Sequence, residues 1–433
     1  MNKPDDLAAR RGALKLIDFC LNDGGMLVEE MLPNDLAGPD RARALTLARA
    51  VLRWIGPADM IIDQFTQHRP KGRTLMILRL GVTEMLALDE AAYGVVDACV
   101  RIAKADRTTR TASGLINAVL RKASTEGPAI WGAANLARLS CPGWFWRVLS
   151  HDWGKATAQA IAAAHLVTPS TDLTLKTDTA EMAKKSAIEL DGIVTPSGSI
   201  RLSKPGRLSG LHGYDDDESG GAWWAQDAAA AIPARLAGAG KGRRALDLCA
   251  APGGKTMQLA AAGWQVTALD IAANRLGRVT ENLKRTRLNA ELVEADAMNW
   301  VPDQLFDMVL LDAPCSATGT VRRHPELPHL RDTKGLGQPT GLQRRLLKQA
   351  WTYVAPGGTL IYCTCAMTKS EGEDQIKRFL HMTPNVTRVP VTAEETGDAQ
   401  MINADGDLRT RPDMWPEIGG MDGFFASRLV KTA

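Results

Sequence analysis

From about Ala225 onward, short apolar runs and amphipathic stretches alternate so regularly that few folds remain open to the chain. The apolar runs are Ala245–Cys249, Gln265–Leu269, Glu291–Val293, Asp307–Leu311, Thr359–Cys363 and Gly423–Val430. Helical patterns over Thr256–Ala262, Ala273–Thr286, Leu342–Tyr353 and Glu371–His381 follow most of them. Alternating strands and helices predict a parallel sheet covered on both faces, with ligands bound beyond the carboxyl ends of the strands. Function is therefore expected in the loops that follow those strands.

The 433 residues suffice for several domains at roughly 100–200 residues each. Between about Asp40 and Lys122 apolar residues recur at helical spacing, for example Leu45, Ala48, Leu52, Ile55 and Ala112, Ile116, Val119, Leu120. This predicts an all-α bundle broken at Gly56-Pro57, at Pro70-Lys71-Gly72 and at Thr108-Thr109. Gly127-Pro128 and Cys141-Pro142-Gly143 read as its exit, where Trp144, Phe145, Trp146 and Trp153 pack. The interleaved basic residues, among them Arg49, Arg53, Arg69, Arg79, Arg107 and Arg121, read as a solvated face. From Pro169 to Gly221 shorter alternating segments predict a small α/β insert, and Gly213–Gly221, with the acids 215–218, an exposed loop. The expected fold class is thus multidomain: a helical bundle over 1–140, linker helices and the small α/β insert over 141–225, and a C-terminal α/β domain of Rossmann-like type over 226–433.

No apolar run approaches the 18 or so residues of a membrane span, and the acids in Met-Asn-Lys-Pro-Asp-Asp do not suit a secretory signal. A cytoplasmic protein is expected. The seven cysteines are scattered without the paired spacings of disulfides or zinc sites, so free thiols and no metal are expected. A net charge of +3 permits nucleic acid without arguing for it. An aromatic content of 5% disfavours a binder built on stacked aromatic platforms.

Leu246-Asp-Leu-Cys-Ala-Ala-Pro-Gly-Gly-Lys-Thr256 leaves a strand, turns on glycines and enters a helix. It imitates a phosphate-binding loop at Gly254-Lys255-Thr256, but Cys249 stands where the first glycine belongs, which counts against a nucleoside-triphosphatase. Asp270, about 20 residues on, stands where a carboxylate grips ribose hydroxyls. Asp296 after the third strand is placed to accept from an adenine amino group. A glycine loop and ribose carboxylate without a phosphate motif fit an adenosine cofactor that lacks phosphates, and S-adenosylmethionine is the natural candidate.

Two cysteines also fall on the functional edge, Cys315 in Asp312-Ala-Pro-Cys-Ser and Cys365 in Tyr362-Cys-Thr-Cys. Carbon-5 of a pyrimidine takes a methyl group only after a nucleophile adds at carbon-6, a task that suits a thiolate. A carboxyl held protonated at Asp312 would help by donating to base N3. The carbon-5 proton must then leave, and a second thiol can promote that release. Which thiol attacks is not decided by these residues alone.

Cys-Ala-Ala-Pro-Gly-Gly-Lys-Thr, Asp-Ala-Pro-Cys-Ser and Tyr-x-Thr-Cys, in this order, resemble the hallmarks of the NOP/Sun RNA cytosine-5 methyltransferases. The likeness extends to Trp224-Ala-Gln-Asp227, Arg322-Arg323-His324-Pro325 and Asp422-Gly-Phe-Phe-Ala426. The bundle, with Arg79-Leu-Gly81, Tyr93 and Leu115–Arg121, resembles the NusB-like domain of the bacterial 16S rRNA methyltransferase B branch of that family. The resemblance implies an S-adenosylmethionine-dependent enzyme in which Cys365 attacks and Cys315 assists release. It implies that Cys249, Ala250, Ala251, Pro252, Gly253, Gly254, Lys255, Asp270, Arg275, Asp296 and Asp312 line the cofactor side, Asp312 also reaching the cytosine. It implies RNA as the partner, with immature or protein-poor small-subunit rRNA expected as substrate, an RNA-binding bundle and a monomer. Arg322 and Arg323 are consistent with phosphate contacts. Cys363 replaces the family's usual Ser, and Pro328-His329 its usual Lys-Trp. Other readings compete: a non-catalytic ribosome-assembly or RNA-binding factor on the same fold, which the cysteines of both motifs disfavour; a cytosine-5 methyltransferase acting on tRNA or another RNA; and an amino-group methyltransferase, which needs no thiol.

Overall fold

The computed structural model describes residues 7–203, 206–216, 219–332 and 337–432. They form two compact units, one of residues 7–167 with 321–332 and one of the remainder. Asp217 and Glu218 of the acidic run, and the first six residues, lie outside the described part.

The first unit is all helical. Its helices span Ala8–Asn22, Gly38–Arg53, Ile55–Gln64, Gly72–Leu86, Ala92–Ala105 and Ser113–Ala133, followed by Leu136–Ser140, Gly143–Trp153 and Lys155–Leu166. The apolar faces read from the sequence meet in one core that includes Leu47, Val51, Leu78, Val82, Val96, Ile102, Ile116 and Leu120. The helix Ala8–Asn22 adds Leu14, Leu16 and Ile17 to that core and lies ahead of the region where the periodicity was legible.

Two expectations for this unit are corrected. Gly127-Pro128 is no exit, because the helix Ser113–Ala133 runs through it. Burial of Ile116, Val119, Leu120 and Ala123 outweighs the roughly 3 kcal/mol that a proline costs inside a helix. Nor are all the basic residues solvated. Arg53 is buried and donates to the carbonyls of His165 at 3.0 Å and Arg322 at 2.7 Å, and Arg79 forks onto Asp59 at 2.7 and 2.8 Å. Arg322 is 1% exposed, so its guanidinium is not offered to a phosphate. Phe145 stacks on His165, and Trp144 donates to the carbonyl of Pro328 at 2.9 Å.

The second unit carries two sheets. The strands are β1 Thr171–Leu175, β2 Ile193–Val194, β3 Ile200–Leu202, β4 Trp223–Ala225, β5 Arg244–Leu248, β6 Gln265–Asp270, β7 Glu291–Glu294, β8 Phe306–Asp312, β9 Val354–Thr364, β10 Val386–Arg388, β11 Leu408–Thr410 and β12 Phe424–Lys431. The small sheet has the order β2-β3-β1-β4, with Leu173, Leu175, Ile200, Leu202 and Trp223 against the helix Ala180–Glu189. The large one has the order β10-β12-β9-β8-β5-β6-β7, with β11 beside β12.

Strands β5 to β9 are parallel, as the alternation predicted. The all-parallel expectation fails at β10, β11 and β12, where β12 pairs antiparallel with its neighbours. Between β10 and β12 the chain forms one four-residue α-helix, Ala393–Thr396, the short strand β11 and 3-10 turns. A parallel return is usually made through a crossover helix that covers the sheet, and no described helix there is long enough for one, which accords with β12 running back the other way. The loop before β4 is also less exposed than predicted, since Gly221 is buried and donates to the carbonyl of Arg285 at 2.7 Å.

A buried ion pair ties the small sheet to the C-terminal loops. Asp172 accepts from Arg201 at 2.7 and 2.8 Å and from the amide of Ala228 at 3.0 Å, while Arg201 donates to the carbonyl of Gly420 at 2.7 Å. Removing one member leaves the other charge desolvated, a loss of about 3–5 kcal/mol. Asp172→Ala is expected to lower the unfolding free energy of this unit by about that amount in urea titrations; a loss below about 1 kcal/mol would contradict it.

Candidate active site

The parallel strands end on one edge in the order β9-β8-β5-β6-β7. After β5, Cys249 has φ +61° and Gly253 φ +100°, and the chain then enters the helix Gly254–Ala261. A side chain at Gly253 would strike Val279 at 2.9 Å, so both backbone and space require glycine there. The amide of Ala250 donates to the carbonyl of Leu269 at 3.1 Å, and Pro252 accepts from Asn282 at 3.1 Å. Asp270 ends β6 with a fully enclosed carboxylate that accepts from the amides of Ala251 at 3.2 Å and Ala272 at 3.1 Å and from Arg275 at 2.6 Å. Asp296, beyond β7, is half-buried and caps its own turn, accepting from the amide of Met298 and the side chain of Asn299, each at 2.9 Å.

The edge therefore holds carboxylates after β6, β7 and β8, which are acceptors suited to hydroxyls, an amino group and a sulfonium. Lys255 is not free for a phosphate. It is buried and donates to Asp312 at 2.7 Å, with its ammonium over the ring of Phe424. Burial opposes that charge, but Asp312 together with Cys363 and Asp247 outweighs it and holds the ammonium above its ordinary range. This donor set fits S-adenosylmethionine and does not fit a nucleotide phosphate.

Asp312 corrects one expectation. Both its oxygens are taken up as acceptors, one from Lys255 and the other from the Cys363 thiol at 3.7 Å, so neither is placed to donate to a base.

Cys315 and Cys365 come together with their sulfurs 3.3 Å apart. The thiol contact with Cys315, then burial, push the Cys365 thiol well above its ordinary value; Lys255 pulls the other way. Cys249 is pushed up to about 12 by burial and the nearby carboxylates, and Cys363 upward chiefly by burial.

Residues that the sequence did not single out hold these loops. Glu371, fully buried, accepts from Ser316, Thr368 and Gln343. Asp247 inside β5 accepts from Thr256 at 2.6 Å, its carboxyl pushed up to about 7 by burial. The amide of Gly319 donates to the carbonyl of Cys365 at 2.8 Å, and any side chain at 319 would collide with the carbonyl of Gly423. The only available sign of Glu371 was an acid opening a predicted helix.

Comparison with known proteins gives concordant results. Residues 237–430 match the family described as 16S rRNA methyltransferase RsmB/F, and residues 8–125 match the NusB family. The ribosomal RNA small subunit methyltransferase B of Pseudomonas putida is 33% identical over 440 residues, covering 95% of each chain. Among solved structures, one described as PH0851 aligns over all of both chains with a TM-score of 0.75 at 20% identity. NSun6 from Pyrococcus horikoshii with SFG aligns over 67% of this chain and 98% of its own, with a TM-score of 0.56 at 19% identity. These two solved structures support the fold. No described helix is long and apolar enough to cross a membrane.

A thiol whose pKa is raised reacts as its proton leaves. Alkylation of Cys365 by iodoacetamide, followed by mass spectrometry, is therefore expected to quicken about tenfold per pH unit between pH 6 and 8; a rate flat across that range would mean the thiol is already ionised.

Proposed function

The chain belongs to the 16S rRNA methyltransferase RsmB/F family, and from that premise we propose that it methylates carbon-5 of a cytosine in small-subunit rRNA through a covalent Cys365 adduct. The rRNA methyltransferase activity and the donor, S-adenosylmethionine, come with the family. The observation that carries the finer reading is the Cys315–Cys365 pair at 3.3 Å, beside the Lys255–Asp312 ion pair.

The bound donor supplies an electrophilic methyl group. The chain must make carbon-5 nucleophilic, and the Cys365 thiolate does so by adding to carbon-6. The Lys255 ammonium suits N3, an acceptor in cytosine, and Asp312 suits the exocyclic amine, a donor. Uracil presents the reverse pattern at both positions, so this pair favours cytosine. Once Cys365 is committed to carbon-6, Cys315 no longer faces a second thiolate and its proton passes to solvent. Its sulfur then takes the carbon-5 proton, the C–H electron pair rebuilds the C5–C6 double bond, and the C6–S bond breaks to return Cys365 as thiolate. Asp270, Asp296, Arg275 and the loop Cys249–Gly254 are assigned to the donor, with the half-exposed Arg275 swinging off Asp270 to free it for the ribose. The target base must be unpaired or extruded. Deproteinised small-subunit rRNA is therefore assigned as a better substrate than assembled subunits.

Labelled methyl transfer to deproteinised 16S rRNA, with denaturing gels for adducts, tests the reading. Cys365→Ser is expected to lose at least about a thousandfold in rate and form no adduct. Cys315→Ser is expected to accumulate a protein–RNA adduct. Full turnover by Cys365→Ser would contradict the proposal.

A further inference from the structure

We infer that Glu371 is a positioning residue for the release step: it fixes Cys315 against Cys365, so that without it the methylated adduct forms and then persists. The inference rests on the covalent reading above and deepens it.

The Glu371 side chain is completely buried in the connection that follows β9, on the Cys365 side, yet the Cys315 loop also bonds to it. The amide of Ser316 donates to Oε2 at 2.8 Å, and the Ser316 hydroxyl donates to Oε1 at 2.6 Å. Gln343, itself buried, donates to Oε2 at 3.0 Å and, through the same nitrogen, to the carbonyl of Pro314 at 2.9 Å. The residues on either side of Cys315 are thus clamped by one carboxylate and its amide partner. Thr368, on the Cys365 side, donates to Oε1 at 2.8 Å, and the Tyr362 hydroxyl donates to the Glu371 carbonyl at 2.7 Å. The Ser316 hydroxyl lies 3.0 Å from that of Thr318, which accepts from the amide of Met367 at 2.9 Å, a second link between the two loops.

The two thiols are not held equally. Cys365 follows β9 directly and its carbonyl is fixed by the amide of Gly319. Cys315 follows β8 by three residues, in a loop of no regular structure, bracketed by a bond from Ser316 to Glu371 and one from Gln343 to the carbonyl of Pro314. Loss of the carboxylate therefore displaces Cys315 more than Cys365. Placement errors near 1 Å cost up to about a hundredfold in a reacting group's step. The affected step is the one Cys315 serves, transfer of the carbon-5 proton to its sulfur with cleavage of the C6–S bond.

Glu371→Gln keeps size but replaces one acceptor oxygen with a donor amide among four donors. It is expected to lower kcat about tenfold with KM for rRNA unchanged, to keep one methyl transfer per enzyme in a single turnover, and to accumulate adduct as Cys315→Ser does. Ser316→Ala, which removes one bond to the carboxylate and leaves the amide, is expected to show the same pattern more weakly and serves if the first variant does not fold. Cys315→Ser run alongside separates the two claims. Adduct in Cys315→Ser but none above wild type in Glu371→Gln or, should that fail to fold, in Ser316→Ala would overturn the role of Glu371 alone. No adduct in Cys315→Ser would overturn the covalent reading and this inference with it.

Discussion

The register between β8 and β9 is the constraint on which the site depends. It sets Asp312 opposite Cys363, so the chain leaves the two strands side by side at the same edge of the sheet. Cys315 comes three residues after that pair and Cys365 two, and short loops can then bring their sulfurs to 3.3 Å. A slip of one residue would send one of the two loops' side chains to the opposite face of the sheet. Burial on both faces prevents such a slip, since Leu310, Leu311, Ile361 and Tyr362 are wholly enclosed.

The same edge sorts charge by strand. Lys255 reaches across from the first turn of the helix Gly254–Ala261 to Asp312 at the end of β8, so the only ammonium described at the centre is neutralised by the carboxylate that faces the thiols. The remaining carboxylates, Asp270 and Asp296, stand on the β6 and β7 side. An adenosyl sulfonium finds acceptors on that side, and a base finds one donor and one acceptor on the other. The division explains why a loop so close to a phosphate-binding sequence does not bind phosphate: its lysine is already committed.

Much of this was legible in the sequence because parallel βα units repeat a simple pattern and because their functional loops follow their strands. Asp270, Asp312, Cys315 and Cys365 could be placed on the edge from strand ends alone. Periodicity could not show direction, so β12 was read as one more parallel strand. Nor could it show that Arg53 and Arg322 turn inward, since a buried guanidinium bonded to carbonyls carries the same letter as a solvated one. Glu371 was invisible for a related reason. Its partners Ser316 and Gln343 are distant in sequence, and only folding makes them neighbours, while Thr368 is a local partner in the same turn.

The central claim is that the sulfur of residue 365 bonds to carbon-6 of a cytosine. Fluorine at carbon-5 cannot leave as a proton does, so rRNA transcribed with 5-fluorocytidine should hold the methylated adduct on the unaltered protein. Digestion and tandem mass spectrometry should then find a methylated fluorocytidine on the peptide bearing Cys365. Attachment at Cys315 or Cys363 instead, or methyl transfer with no attached nucleotide, would contradict the account.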